Sequence, residues 1–387
     1  MKKKIAILGS TGSIGKCLID IIKQDKKNFE VVLLSADGNY KELLKQAKLF
    51  KVKNLIVSNE YSYNQIKKNK YSKKINIYNN FNNFKKIFKK KIDYTMSSIS
   101  GIQGLKPTIE IVKFTNKIAI ANKESIICGW DLIEKELKKN KTEFIPVDSE
   151  HFSIWYALKD VDKKLIEKIY ITASGGPFLY KPLNELRNVS SKQAMKHPNW
   201  KMGKKISIDS ATMMNKVFEI IEAKKIFNLS YKKLSILVHP KSYIHAIIKL
   251  KNGLTKIVAH DTNMKIPIFN SLYSSNNFIN SKKLNLKILN NLALKEIDYK
   301  RFSVIKILSK LPENSSLFET ILVSINDKLV ELFLANKIKF TDIPKKMHNM
   351  LDLNELKKYK MIKPRKINDI IFLNNKIRSK IEIKNKI

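Results

Sequence analysis

Hydrophobic positions change rhythm along the chain. An unbroken apolar run at Ile5–Leu8 ends at Gly9 and predicts a strand buried on both faces. Leu18, Ile19, Ile21 and Ile22 then recur at helical spacing. "FEVVLLSA" (29–36) predicts a second buried strand, "YKELLKQAKLF" a helix, and "NLIVS" a third strand. "KIAIAN" (117–122) and "EFIPVDSE" (143–150) continue the series. Strands alternating with helices imply a parallel sheet, wound as in nucleotide-binding folds.

After about residue 150 the rhythm breaks. "KIYITASGGPF" (168–178) reads as a strand entering a Gly-Gly-Pro turn, and 236–260 as two antiparallel strands joined at Asn252-Gly253. Residues 275–300 read as a connector, and the pattern is helical from about 301, most clearly in "SLFETILVSINDKLVELFLANKI". No internal repeat is visible.

Length and composition narrow the class. The chain has 387 residues, enough for two or three domains with substantial cores. No apolar run approaches the roughly 20 residues that span a bilayer. No signal peptide is visible, because the apolar start of "MKKKIAIL" runs straight into "GSTGSIG". The cytoplasm is the expected compartment, with no membrane partner. Two distant cysteines, Cys17 and Cys128, argue against a disulfide framework or a zinc site. The net charge of +41 raises nucleic acid as a partner. Yet the lysines are spread through the chain among abundant Ile and Asn, with no basic stripe interleaved by aromatics. A lysine-coated surface is the reading, with no nucleic-acid partner, and its positive field favours anionic ligands.

Candidate chemistry gathers in three stretches. Gly9, Gly12 and Gly15 lie between the first strand and its helix. Glycines there permit a tight turn and close approach of backbone to a pyrophosphate seated on the helix N-terminus. The spacing is GxxGxxG, weak alone and strengthened by its strand–turn–helix context. The second strand ends at Ala36-Asp37-Gly38-Asn39, where an acidic residue points toward a ribose 2′-hydroxyl and NAD. Asp148 and Glu150 end the "EFIPVDSE" strand, where an extended i, i+2 pair shares one side. Such hard oxygen ligands suit Mg²⁺ or Mn²⁺; a solvated acidic loop end is the competing reading. In "SIDSATMMNKVFEIIEA" (207–223), Asp209 or Ser210 is expected to cap a helix. On it Asn215, Glu219 and Glu222 form a polar stripe, while Met214, Val217, Phe218 and Ile221 pack. Glu219 would complete a metal site; taken alone, the stripe also fits a solvent-facing helix surface.

Six stretches carry a wider likeness: "ILGSTGSIG" (7–15), "ANKES" (121–125), "PVDSEH" (146–151), "SGGPF" (174–178), "HPNWKMGKKISIDSATMMNK" (197–216) and "HPKSYIHA" (239–246). In these, and over nearly all of its length, the chain closely resembles the 1-deoxy-D-xylulose 5-phosphate reductoisomerases of the non-mevalonate isoprenoid pathway. The resemblance implies an α/β protein. Its parts would be a Rossmann-like parallel-sheet domain over 1–148, a central α+β catalytic domain over 149–274, a linker over 275–300 and a helical domain over 301–387. It implies NADPH and one divalent cation (Mg²⁺, Mn²⁺ or Co²⁺) as cofactors, a sugar phosphate substrate and a homodimer.

The same resemblance implies residue roles. Asp148, Glu150 and Glu219 would bind the metal, with Ser149 at the substrate's hydroxyl and keto region and Glu222 close by. Ser174, Ser210, Asn215 and Lys216 would hold the phosphate with His197 nearby. Lys123 would face the active site. Trp200 and Met202 would belong to a lid over about 174–204. Gly9, Ser10, Thr11, Gly12, Ser13 and Ile14 would contact the cofactor phosphates, with Gly38, Asn39, Asn122, Lys123, Glu124, Met202 and Gly203 further along. His151 is read as outside the chemistry, and His239 and His245 as structural. Members of the family usually carry a basic residue where this chain has Gly38. A second reading is another two-domain dehydrogenase of the semialdehyde dehydrogenase or dihydrodipicolinate reductase kind, which lacks such an acid cluster.

Overall fold

The computed structural model describes residues 1–273 and 277–384. The chain forms two compact units. The first holds Met1–Ser125, Asp131–Asp148 and the described residues of Met264–Ile279; the second holds Ile126–Trp130, Ser149–Asn263 and the described residues of Asn280–Ile387. Part of the expected connector (275–276) and the last three residues of the expected helical domain lie outside the described residues.

The first unit is built on β1 (Lys3–Leu8), β2 (Phe29–Ala36), β3 (Asn54–Val57), β4 (Asn76–Tyr78), β5 (Ile92–Ser97), β6 (Thr115–Ile120) and β7 (Glu143–Pro146). They pair in the order β4-β3-β2-β1-β5-β6-β7, every neighbour parallel. Continuous apolar runs explain this arrangement. Ile5, Ile7 and Leu8 of β1 have no exposure, so a parallel sheet covered on both faces satisfies them. Helix Ser13–Gln24 buries Leu18, Ile19, Ile21 and Ile22, each worth about 1.5–3 kcal/mol relative to an exposed side chain. Between β1 and β5 the strand order reverses direction, and ligands bind at the C-terminal ends of strands at such a switch point.

The second unit is built on β8 (Ile166–Ala173), β9 (Leu234–Val238), β10 (Ile244–Leu250) and β11 (Thr255–Ala259), ordered β11-β10-β8-β9. β10 is antiparallel to β8 and β11, whereas β8 and β9 are parallel. Helix Met214–Phe227 is buried along most of its length. Helix Phe318–Leu334 carries an apolar face (Phe318, Ile321, Leu322, Ile325, Leu329) with no exposure.

Three expectations need correction. The 143–150 stretch is not one strand: β7 stops at Pro146 and helix Ser149–Ala157 begins at once. Glu150 therefore sits in a first helical turn, and the shared-side argument for Asp148 and Glu150 does not apply. The 207–223 stretch is two helices, Lys204–Thr212 and Met214–Phe227, broken where Met213 takes φ +67°. Asp209 and Ser210 lie inside the first of these and cap nothing. The 236–260 stretch contributes part of a third strand, because Leu234–Val238 pairs with β8 and only β10 and β11 form the hairpin.

Candidate active site

In the first unit, Gly9 leaves β1 at φ +81°, and a Cβ there would stand 2.8 Å from the Ser98 carbonyl oxygen. Gly15 is tighter: a Cβ would meet the Gly9 oxygen at 2.4 Å and Ser10 Cα at 2.5 Å. Only glycine lets helix Ser13–Gln24 start this close to the strand end. Gly12 precedes the helix in extended conformation with no side-chain cap, so the first-turn N–H groups are available to an anion. Gly12 and Ser13 are exposed, and Thr11 and Ile14 half-buried. Ser10 differs: it is buried and its hydroxyl donates to the Ser35 carbonyl at 3.2 Å. A side-chain contact from Ser10 to a phosphate is thus replaced by a structural one, and the Ser35 hydroxyl accepts from Gly9 N at 2.9 Å.

Asn39 caps helix Tyr40–Phe50 by accepting from Glu42 N at 3.3 Å, and Gly38 beside it is exposed with open space around its Cα. Asn122 caps helix Lys123–Asn140 by accepting from Ser125 N at 2.7 Å, and donates to Gly101 O at 2.8 Å. Its amide is spent on fixing the loop after β5. Lys123 and Glu124 follow in the first turn, both buried. Lys123 Nζ meets Asp148 Oδ2 at 2.6 Å, which places a cation on the acid that ends this unit.

In the second unit, Glu150 and Glu219 present carboxylate oxygens within 4.8 Å of one another. Glu219 is 1% exposed, so the stripe expected on this helix faces the interior. A buried carboxylate beside a half-buried one demands positive charge. Lys216 Nζ supplies it, at 3.0 Å from Glu150 Oε1 and 2.5 Å from Glu219 Oε2, and donates to Thr172 O at 2.8 Å. Asn215 donates to Glu219 Oε1, and the Ser149 hydroxyl to Glu150 Oε2. Asn215 and Lys216, expected on the phosphate, are thus turned to the acids. Asp148 lies two residues before Glu150, so chain connectivity alone holds their Cα atoms within about 7 Å.

Of the layer around these acids, Glu222 was expected close by, and the histidine contacts were not foreseen from sequence. His151 has no exposure; its Nε2–H donates to the Glu219 carbonyl at 2.9 Å and Nδ1 lies 3.5 Å from Glu222 Oε2. His245 Nδ1 lies 4.0 Å from Glu150 Oε1, and its ring stacks on His260 at 3.8 Å between centroids. Burial lowers the pKa of His260. The only local signal for these roles was the position of His151 next to the acid pair.

The expected lid segment is pinned at several points. His197 Nδ1 accepts from Asn199 N at 3.1 Å and Trp200 N at 3.0 Å, so Nε2 carries the proton and faces Ser174 Oγ at 2.9 Å. Burial, with the nearby Lys216 charge, pushes His197 down to about 4; it is neutral at pH 7. Asn199 donates to Pro240 O at 2.7 Å and Ser242 Oγ at 3.0 Å. Trp200 stands edge-on to His245 at 6.1 Å. Met202 is half-buried, and Gly203 is the extended residue preceding helix Lys204–Thr212, which carries Ser210. His239 accepts no such role: its Nδ1 donates to Leu292 O at 2.5 Å.

Three family models match the chain: 1-deoxy-D-xylulose 5-phosphate reductoisomerase over residues 5–129, its C-terminal domain over 144–227, and the DXP reductoisomerase C-terminal domain over 261–380. A 1-deoxy-D-xylulose 5-phosphate reductoisomerase of Pelagibacter ubique is 60% identical over 382 residues, 98% of each chain. One from Wolbachia of Drosophila simulans is 41% identical over 88% of each. Among solved structures, a DOX-P reductoisomerase in complex with NADPH, fosmidomycin and magnesium superposes with a TM-score of 0.91 at 30% identity, covering 99% of this chain and 98% of that one. The Zymomonas mobilis enzyme in complex with NADPH gives 0.87 at 29%, covering 100% and 99%.

Proposed function

The chain belongs to the 1-deoxy-D-xylulose 5-phosphate reductoisomerase family, and from that premise we propose which of its residues carry the reaction. The reaction is the NADPH- and divalent-metal-dependent conversion of 1-deoxy-D-xylulose 5-phosphate to 2-C-methyl-D-erythritol 4-phosphate: a skeletal rearrangement, then hydride reduction of the aldehyde formed. The alternative of a generic two-domain dehydrogenase is not favoured, since the 60% match runs through both units.

The observation that carries the residue assignment is the pairing of Glu150 with Glu219 around one ammonium. The donors are hard oxygens, as Mg²⁺ and Mn²⁺ prefer, and Asp148 adds a third by its position in the chain. Asp148, Glu150 and Glu219 hold the metal. When bound, the cation polarises the substrate carbonyl and stabilises developing oxyanion charge. Ser149 addresses the neighbouring hydroxyl. Lys123 restrains the Asp148 carboxylate. Ser174, Ser210 and the Nε2–H of His197 donate to the substrate phosphate, and Asn215 and Lys216 bound that pocket on its acid side. Trp200 excludes water from the aldehyde. The turn from Gly9 to Ile14 cradles the dinucleotide, with Thr11, Gly12 and Ser13 at its phosphates and Asn39 further along. Met202 and Gly203 belong to the closing segment. We place the enzyme in the cytoplasm as a homodimer on family resemblance; no described helix is long and apolar enough to cross a membrane.

The test mixes purified protein with 1-deoxy-D-xylulose 5-phosphate, Mg²⁺ and NADPH and follows cofactor oxidation. Glu219→Gln is expected to lower kcat by about a thousandfold, or ~4 kcal/mol, with an unchanged circular dichroism spectrum. Normal turnover by that variant would refute the metal assignment.

A further inference from the structure

We propose that Asp37 sets the choice of nicotinamide cofactor in this chain and opens its adenosine-ribose position to NADH, the form without a 2′-phosphate, alongside NADPH. The inference rests on reading the first unit as the dinucleotide site. In a doubly wound sheet the adenosine ribose lies at the end of the second strand, and a carboxylate there accepts from the ribose hydroxyls. β2 ends at Ala36, and Asp37 is the exposed residue that follows.

The structure shows this carboxylate to be held in place. Ser58, the first residue after β3, donates its hydroxyl to Asp37 Oδ1 at 2.8 Å, and its own N–H donates to Ala36 O at 3.2 Å. Ser62 donates to Gly38 O at 2.8 Å, and the Asn39 side-chain oxygen accepts from Glu42 N. The loop is thus fixed from two following elements. One serine hydroxyl engages Oδ1, and a carboxylate has acceptor capacity for more than one donor. A vicinal diol offers two hydroxyl donors. A 2′-phosphate dianion offers none and repels the carboxylate.

Residues 36–39 supply no compensating cation. Gly38 has only open space where a side chain would stand. The next basic residue along the chain, Lys41, lies in the first turn of helix Tyr40–Phe50, and with the positive net charge of the protein it still attracts a phosphate. The ribose position therefore takes either cofactor, rather than rejecting one by charge.

Intact protein is titrated with NADH and with NADPH in the absence of substrate, and the fluorescence of the bound nicotinamide gives each Kd. Two results are expected: the wild-type dissociation constants lie within about tenfold of each other, and Asp37→Asn moves the ratio toward NADPH by at least about fivefold. Asn keeps an acceptor for Ser58 and removes the charge. A wild-type preference for NADPH beyond about tenfold, or a smaller change in the variant, overturns the inference. If NADPH turnover with substrate persists in either case, the dinucleotide site itself stands. If neither cofactor binds, that site falls together with the inference.

Discussion

The glycine turn of the first unit and the acid pair of the second solve opposite problems. The turn has no charged side chain of its own: Gly9 and Gly15 remove atoms so that helix Ser13–Gln24 starts close against the strand end, and uncapped N–H groups at a helix start favour an anion. The acid pair does the reverse. It gathers negative charge from residues 69 positions apart, Glu150 and Glu219, and tolerates it through Lys216. A site made from missing atoms is local and sterically determined. A site made from buried charge is non-local, and its energetics depend on one counter-ion.

That contrast predicts where each site breaks. Lys216→Met leaves the buried Glu219 and the half-buried Glu150 without this ammonium and removes its hydrogen bond to the Thr172 carbonyl, at a cost of about 3–5 kcal/mol. The unfolding free energy from urea titration should fall by that amount, and millimolar Mg²⁺ should restore part of it by binding the native acids. A midpoint no lower than that of an exposed control, Lys192→Met, would show that the ammonium is not the compensating charge.

Gly15→Ala tests the other side. Its Cβ would lie 2.4 Å from the Gly9 oxygen, forcing a shift of the turn or helix at roughly 1–3 kcal/mol. The Kd for NADPH should rise by about tenfold or more, while stabilisation by Mg²⁺ stays at the wild-type value. Loss of both together would mean that the two sites are not separable in the way their construction implies.

The same contrast explains what was legible in the chain. β1, β2 and the glycine turn were readable because their determinants are contiguous: an apolar run, three glycines, then helical spacing. Asp148 and Glu150 were singled out by the "PVDSEH" block and Glu219 by the polar stripe that follows "MMNK", but how these side chains are placed was not readable. Burial of Glu219 removes the competing solvent-facing reading of its stripe; periodicity could not choose between the two, because it does not reveal that a lysine will accompany an acid inward. The start of a helix at Ser149 was missed because its neighbours Val147, Phe152 and Ile154 suit either element. Met213 at φ +67° was invisible, since a non-glycine residue in the left-handed region carries no sequence mark. The contacts of His151 and His245 were not readable in the sequence either, because their partners come from distant segments.

The smallest expected effect concerns His197, where geometry and pH meet. Two backbone N–H groups point at Nδ1, so protonating it would set donor against donor. Burial and then the Lys216 charge hold the group at about 4, below the ordinary 6.5. The unfolded chain therefore binds more protons than the native one between those values. Stability on this account is complete above about pH 7 and declines as the medium is acidified through 6.5 toward 4. His239 and His260 are also lowered and contribute with the same sign, so the comparison must be between wild type and variant. His197→Gln keeps polar atoms near Ser174 while removing the titration. Unfolding free energies from urea titrations at pH 7.5 to 4.5 should fall less steeply in the variant, by less than the ~1.4 kcal/mol per pH unit of a full proton, because the ring is only partly buried. Parallel curves would mean that the imidazole is protonated in the native state at acid pH, and that the two N–H contacts do not fix its tautomer.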